Sequence, residues 1–209
     1  RWGCSPTGKT GRPPVATSFT CMWTEQRADP CRCLTRCAPT RRKRTPRCTT
    51  STCQVGVGGV GSWAAEALAR SGVGEITLFD LDDVCVSNTN RQAHALEGQV
   101  GRPKVEVMAE RLRAINPGCT VHAVADFVTR ETMAEYITEH LDCVIDCIDS
   151  VMAKAALIAG CRRRKIAIVT TGGAGGQIDP TQIQIADLNK TFNDPLASRV
   201  RSTLRRDYN

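Results

Sequence analysis

The stretch Gly56-Val57-Gly58-Gly59-Val60-Gly61 constrains this chain most, because it sits between two short patterned segments that differ in period. Residues 53–57 read as the end of a strand and residues 62–71 as a helix rich in Ala and Leu. Residues 75–80 (Glu-Ile-Thr-Leu-Phe-Asp) then read as a second strand ending on a carboxylate. Glycines at these spacings allow a tight strand-to-helix turn whose backbone N–H groups approach a phosphate, with the helix N-terminus adding partial positive charge. An acid about 20 residues past the glycines stands where a ribose hydroxyl is read. Gly56, Gly58, Gly59, Gly61 and Asp80 are therefore the first candidates for holding a nucleotide.

The pattern continues in alternation. A polar loop, 82–101, leads to a helix over 104–115, where Val105, Met108, Ala109, Leu112 and Ile115 recur at helical spacing. Strands are expected at 120–124, 143–148, 166–171 and 183–185, and helices at 129–140, 152–163 and 194–206, with a flexible glycine turn at 172–176. Strands alternating with helices predict an α/β, Rossmann-like, doubly wound and mostly parallel sheet. Ligands in such sheets bind outside the carboxyl ends of the strands.

Residues 1–53 differ in character. They hold eleven Lys/Arg against two acids, a charge of +9, which leaves −2 for the remainder. Seven of the twelve cysteines lie there, and the segment is poor in Leu, Ile and Val. The expected division is a low-order basic Cys/Arg-rich segment at 1–53 and a nucleotide-binding domain at 54–209. The segment's composition matches a basic arm, and equally the product of out-of-frame translation or a misplaced start. Gly3-Cys4-Ser5-Pro6-Thr7-Gly8-Lys9-Thr10 fits the P-loop pattern letter for letter, but only two residues precede it and Gly-Arg-Pro-Pro follows, so the strand and helix that the mechanism needs are missing. Cys31, Cys33 and Cys37 have neither a nearby His nor Cys-x-x-Cys spacing, which argues against zinc. The scattered cysteines after residue 54 suit buried thiols in a cytoplasmic protein. No apolar run is long enough to span a membrane, so no membrane partner is expected.

Four polar groups fall at expected strand ends or in the loops after them. These are the glycine turn, Asp80 with Asp82, the run Asn88-Thr89-Asn90-Arg91-Gln92 with Lys104 beyond it, and Asp146-Cys147-Ile148-Asp149-Ser150. A nucleoside triphosphate needs cations on its phosphates and a carboxylate to hold Mg2+. Arg91, Lys104 and Asp149 supply both. Asp149 is preferred over Asp146 for the metal because it follows the strand rather than lying within it. Cys147, between Ile and acids, reads as packing, and His94, His122 and His140 share no spacing. The arginines at 199, 201, 205 and 206 form a basic helix face, either solvated or in contact with RNA.

These motifs, with Gly101-Arg102-Pro103-Lys104 and the run Thr170-Thr171-Gly172-Gly173-Ala174-Gly175-Gly176-Gln177-Ile178-Asp179-Pro180-Thr181, resemble the ThiF/MoeB-type adenylyltransferases of the ubiquitin-activating-enzyme-like superfamily. Within it the likeness is to the branch that acts on threonylcarbamoyladenosine in tRNA, and it covers residues 54–209. The resemblance implies ATP and Mg2+ as cofactors and a ligase-type adenylation of the threonylcarbamoyl carboxylate, followed by ring closure with loss of AMP. It also implies a homodimer, a tRNA substrate and a sulfur-transfer or desulfurase-system partner. By the same resemblance Asp80 takes the ribose, Arg91 and Lys104 the phosphates, and Asp149 the Mg2+, with Asp82 and Asn88 in the same nucleotide-binding set.

Three other readings stand beside this one. Sulfur-carrier-protein adenylyltransferases share the motifs, but many hold a zinc through two Cys-x-x-Cys pairs, and residues 186–209 contain no Cys. An NAD-dependent oxidoreductase would gain little from Arg91, Lys104 and Asp149. A non-catalytic RNA-binding module would rest on the basic segment. The family also begins with a helical arm leading into a full apolar strand and continues several tens of residues past a point like Asp207-Tyr208-Asn209. Here Gln54 interrupts the strand and the sequence stops, so the expectation is an ATP-binding domain incomplete at its C-terminal end, with impaired activity.

Overall fold

The computed structural model describes residues 20–23, 51–129 and 131–208. In chain order the strands are β1 (Thr20–Trp23), β2 (Thr52–Gly56), β3 (Glu75–Phe79), β4 (Thr120–Val124), β5 (Cys143–Asp146), β6 (Ala167–Thr171) and β7 (Gln184–Asp187). The α-helices are α1 (Gly59–Arg70), α2 (Lys104–Ile115), α3 (Met133–Tyr136), α4 (Val151–Arg164) and α5 (Pro195–Asp207).

The sheet order is β4-β3-β2-β5-β6-β1-β7. The five strands β4, β3, β2, β5 and β6 are all parallel, as expected for crossover connections through helices. β1 is antiparallel to β6 and parallel to β7. The chain winds outward in one direction from β2 through β3 to β4, and in the other from β5 to β6. The crevice between the carboxyl ends of β2 and β5 is the topological switch point of the sheet.

Side-chain alternation along the strands builds two cores. Cys53, Val55, Ile76, Leu78 and Val121 face α1 and α2, meeting Ala65, Ala69, Val105, Met108, Ala109 and Leu112. Val144 and Ile168 face the other way, toward Ile137, Ala155, Leu157, Ile158 and Cys161, with Ala197 and Val200 of α5 behind them. The two helices on the first face are tied by Glu66, which accepts from Arg70 Nε at 2.8 Å and Arg111 Nε at 2.7 Å. The Arg111 hydrogen bond is the largest of the influences that hold its carboxyl below the usual range.

Most expected elements stand, with α2 and β4 at their expected bounds. Two expectations are corrected. The helix expected over 129–140 is only Met133–Tyr136. Thr129 N–H donates to Thr132 Oγ1 at 2.9 Å, Thr132 N–H donates to Thr129 Oγ1 at 3.2 Å, and Thr132 Oγ1 donates to Phe127 O at 2.9 Å. These local bonds offer the backbone an alternative to helix. The strand expected over 143–148 ends at Asp146, where the Asp146 side chain accepts from Ile148 N–H at 3.0 Å and turns the chain. Within the segment 1–53, expected to be of low order, Thr20–Trp23 forms β1 of the sheet. The P-loop-like stretch 3–10 and the cysteines 31, 33 and 37 lie outside the described residues. Of the cysteines expected to be buried, Cys119 and Cys161 are so, Cys143 and Cys147 are half-buried, and Cys85 is exposed.

Candidate nucleotide-binding site

β2 ends at Gly56 and α1 begins at Gly59, so the glycine turn lies at the switch point. Gly61 is obligatory for the fold itself: a Cβ there would stand 1.7 Å from Gly56 O, closer than any real contact. The first turn of α1 thus presses against the end of β2. At Gly58 a Cβ would meet nothing within 4 Å, so the space beside that backbone is open. Gly58 is the N-cap of α1 in extended conformation, no side chain caps the helix, and its first turn carries no acid. The first N–H groups of a helix have no partner within it, and the positive end of this helix is uncompensated.

The loop after β3 comes next to this turn. The Ser62 hydroxyl accepts from Ala93 N–H at 3.2 Å, and Trp63 Nε1 donates to Arg91 O at 2.9 Å, so α1 itself holds the loop. The Arg91 side chain lies across the glycine turn, its Cγ and Cδ each 3.6 Å from the Cβ position of Gly59. Its Nη1 donates to Ser87 O and Asn90 Oδ1, both at 2.9 Å, while the residue as a whole stays exposed. Asn88 is buried and works inside the loop. Its Oδ1 accepts from Cys85 N–H at 3.0 Å and its carbonyl from the N–H groups of Arg91 and Gln92.

Lys104 opens α2 and is buried. A bridge between Asp83 and Pro103 draws that helix end to the carboxyl end of β3, and Lys104 N–H donates to Asp82 O at 3.0 Å. Its Nζ then lies 2.7 Å from Asp82 Oδ2 and 3.8 Å from Asp80 Oδ1. Asp80 Oδ1 also accepts from Asp82 N–H at 3.0 Å. Burial pushes the Asp80 carboxyl above its usual range, against the opposing pull of the Asp82 N–H and of Lys104. Asp80, Asp82 and Lys104 form one contact group, and Arg91 and the glycines a second one beside it.

Asp149 stands on the β5 side of the crevice. Cys147 Cβ is 3.5 Å from the Cβ position of Gly61, which sets the end of β5 against the glycine turn. Asp149, two residues on, is exposed and has no hydrogen bond or ion pair among the described residues. No direct contact joins it to Arg91 or Lys104. Asp146 is turned inward, where its Oδ2 takes Lys154 Nζ at 2.8 Å and the Thr170 hydroxyl. The described residues contain no group of three or more His, Cys, Asp and Glu suited to a metal ion. A nucleotide-bound Mg2+ needs only one or two carboxylates, because phosphate and water complete its shell. Asp149 is free for that, and Asp146 is not.

Sequence reasoning passed over two residues of this region. Lys154 is fully buried beneath the β5–α4 loop, and its mark in the sequence is a lone lysine in the apolar run Ala-Lys-Ala-Ala-Leu-Ile-Ala. His94 shares no spacing with His122 or His140 that would mark it in the sequence. It is buried, with neither ring nitrogen partnered among the described residues. Burial first, then the charges of Lys104 and Arg111, push its pKa down to about 4.

The parallel sheet, the switch-point crevice and the glycine turn at its lip define an α/β protein of the Rossmann-like class. The model of the ThiF family matches residues 47–206, and the chain belongs to that family. It is 65% identical over 156 residues to the tRNA threonylcarbamoyladenosine dehydratase of Escherichia coli K12, covering 75% of this chain and 58% of that protein. The enzyme of the same name from Haemophilus influenzae is 59% identical over 157 residues, covering 75% of this chain and 60% of the relative. The chain thus spans about three fifths of the length of these curated relatives. Among solved structures, the E. coli tRNA N6-threonylcarbamoyladenosine dehydratase in complex with ATP superposes with a TM-score of 0.75 at 60% identity, covering 79% of this chain and 70% of the other.

Proposed function

We propose that this chain carries the ATP-binding, adenylating part of an enzyme that dehydrates threonylcarbamoyladenosine in tRNA. The observation that supports it most is the open space beside Gly58 at an uncapped helix N-terminus, with the Arg91 side chain lying across the same turn. That is a seat for a polyphosphate, in a chain 60% identical to a protein solved with ATP. Asp80 would hold the ribose hydroxyls. Asp82 would keep Lys104 oriented, and Lys104 and Arg91 would neutralise charge on the phosphates. Asp149 would hold Mg2+, which when bound shields the triphosphate and polarises it toward attack.

In this reading the threonylcarbamoyl carboxylate attacks the α-phosphorus and pyrophosphate leaves. An amide nitrogen of the same group then closes the ring on the activated carbonyl and expels AMP, for a net loss of water. No covalent enzyme nucleophile is required, so catalysis is positioning plus charge neutralisation. Residues 54–209 form the ATP-binding unit in this proposal, acting as a homodimer in the cytoplasm. No helix among the described residues is long and apolar enough to cross a membrane.

Nucleotide titration tests the first half. ATP binds, Lys104→Ala and Arg91→Ala each weaken it by about tenfold or more, the scale of a lost charged hydrogen bond, and NADH fluorescence does not respond. Saturable NADH binding without ATP binding would sink the reading. Mass spectrometry of nucleosides tests the second half. Modified tRNA incubated with the chain, ATP and Mg2+ should lose one water per modified adenosine, and only when ATP is present.

A further inference from the structure

α4 ends in Arg162-Arg163-Arg164 with Lys165 as its C-cap, and α5 carries Arg199, Arg205 and Arg206. The two helices pack on each other, and the Arg163 guanidinium carbon stands 5.8 Å from the centroid of the Tyr208 ring, just past the end of α5. Their C-terminal ends therefore make one surface. Arg162, Arg163, Lys165 and Arg205 are exposed on it, with no ion pair among the described residues. α4 contains no acidic residue and α5 contains only Asp207, which pairs with Arg206. Helical surfaces that merely solvate a protein usually intersperse both signs of charge, and this one does not. Arg201, on the same helix, belongs to a different task, since its guanidinium donates to Leu188 O, Thr191 O and the Thr191 hydroxyl.

We infer that this surface holds the phosphate backbone of an RNA whose reacting base lies elsewhere, at the nucleotide crevice. The inference deepens the tRNA reading above and rests on it. α4 starts one residue past Ser150, beside Asp149, and carries the chain about 16 Å from Val151 before the arginine cluster begins at Arg162. A mononucleotide in the crevice cannot reach that far, whereas a folded RNA presents phosphates over such distances. The predominance of arginine suits phosphate, which its planar fork grips with two bonds. A lipid surface is disfavoured because none of the exposed large hydrophobic residues belongs to these helix ends.

The test uses the full chain, with unmodified tRNA as the probe and anisotropy read from about 50 to about 200 mM NaCl. The variant Arg162→Gln/Arg163→Gln/Lys165→Gln/Arg205→Gln should bind tRNA at least about tenfold more weakly, with a log–log salt slope shallower by about 3, while ATP affinity is unchanged. Arg162→Glu and Arg205→Glu, one on each helix, should each weaken tRNA binding if the quadruple variant loses its ATP affinity through misfolding. Variants with the wild-type affinity and slope overturn the inference and leave the tRNA reading intact, placing the contact elsewhere, for example in residues 1–53. A wild-type chain that binds ATP but shows no salt-sensitive affinity for tRNA overturns both. Tighter binding to polyglutamate or anionic vesicles than to tRNA overturns the inference in favour of an acidic protein or a lipid surface.

Discussion

Lys154 Nζ and Asp146 Oδ2 meet 2.8 Å apart with both side chains shut off from solvent. The same ammonium donates to Thr170 Oγ1 at 3.0 Å, and Asp146 Oδ1 takes Ile148 N–H. The pair therefore joins α4, β5 and β6 and shapes the loop that presents Asp149. Desolvating two charges is expensive, so the pair is weak evidence of net stabilisation, yet losing one member leaves the other charge buried and unpaired. Lys154→Met should cost about 3–5 kcal/mol, and Asp146→Leu combined with Lys154→Met should recover part of it. Chemical denaturation measures both. A single-variant cost below about 1 kcal/mol would show that the pair does not hold this region.

The two glycines at the start of α1 should behave oppositely. Gly61→Ala drives a methyl into Gly56 O and should destabilise the fold by about 3 kcal/mol or more, with nucleotide binding lost as a consequence. Gly58→Ala meets only open space and has an ordinary backbone conformation, so its stability change should stay within about 1 kcal/mol. If phosphates fill that space, Gly58→Ala nonetheless loses ATP. Thermal melts beside ATP titrations separate the two outcomes, and a Gly58→Ala protein with full ATP affinity would falsify the phosphate seat.

Gln54 lies in the middle of β2, opposite Thr77 and Val144, buried and with neither amide atom partnered among the described residues. Each unmet polar atom costs free energy that an apolar β-branched side chain would not. Gln54→Ile should stabilise the chain by about 1–3 kcal/mol in denaturant unfolding. A neutral or destabilising result would mean that the amide is satisfied in solution.

His94 makes the protein acid-sensitive in a defined window. Its ordinary pKa of 6.5 falls to about 4 in the folded chain. Between those values the unfolded chain binds a proton that the folded chain refuses, so stability falls as pH drops from 6.5 toward 4 and is fully present above 6.5. The loss attributable to this residue is on the order of 3 kcal/mol. His94→Gln should flatten the stability–pH curve in that window, and an unchanged curve would exclude His94 as its source.

The legible parts of the chain were those where local pattern and tertiary demand agree. α2 and β4 follow from apolar spacing because the buried positions of each recur at its own period. The glycine turn and Asp80 follow from short-range geometry, since a strand, a tight turn and a helix fit within one βαβ unit. Where a few side chains compete with the backbone, pattern misled. Thr129 and Thr132 shorten α3 by bonding each other's N–H groups, and Asp146 ends β5 two residues early by bonding Ile148 N–H.

The parallel α/β architecture and the loops that carry polar groups are legible in the residue pattern, because period and turn chemistry are local and additive along the chain. Which of those groups meet is set by the folded chain. Lys104 reaches Asp82 across 22 positions because a bridge from Asp83 to Pro103 docks the start of α2 at the end of β3. Asp146 is taken inward by Lys154 and Thr170 while Asp149 stays exposed, and the ends of α4 and α5 join into one cationic surface. β1 likewise finds its place between β6 and β7. Such contacts depend on chain closure between distant elements, and their energies arise from burial and from partners that no local window of sequence contains.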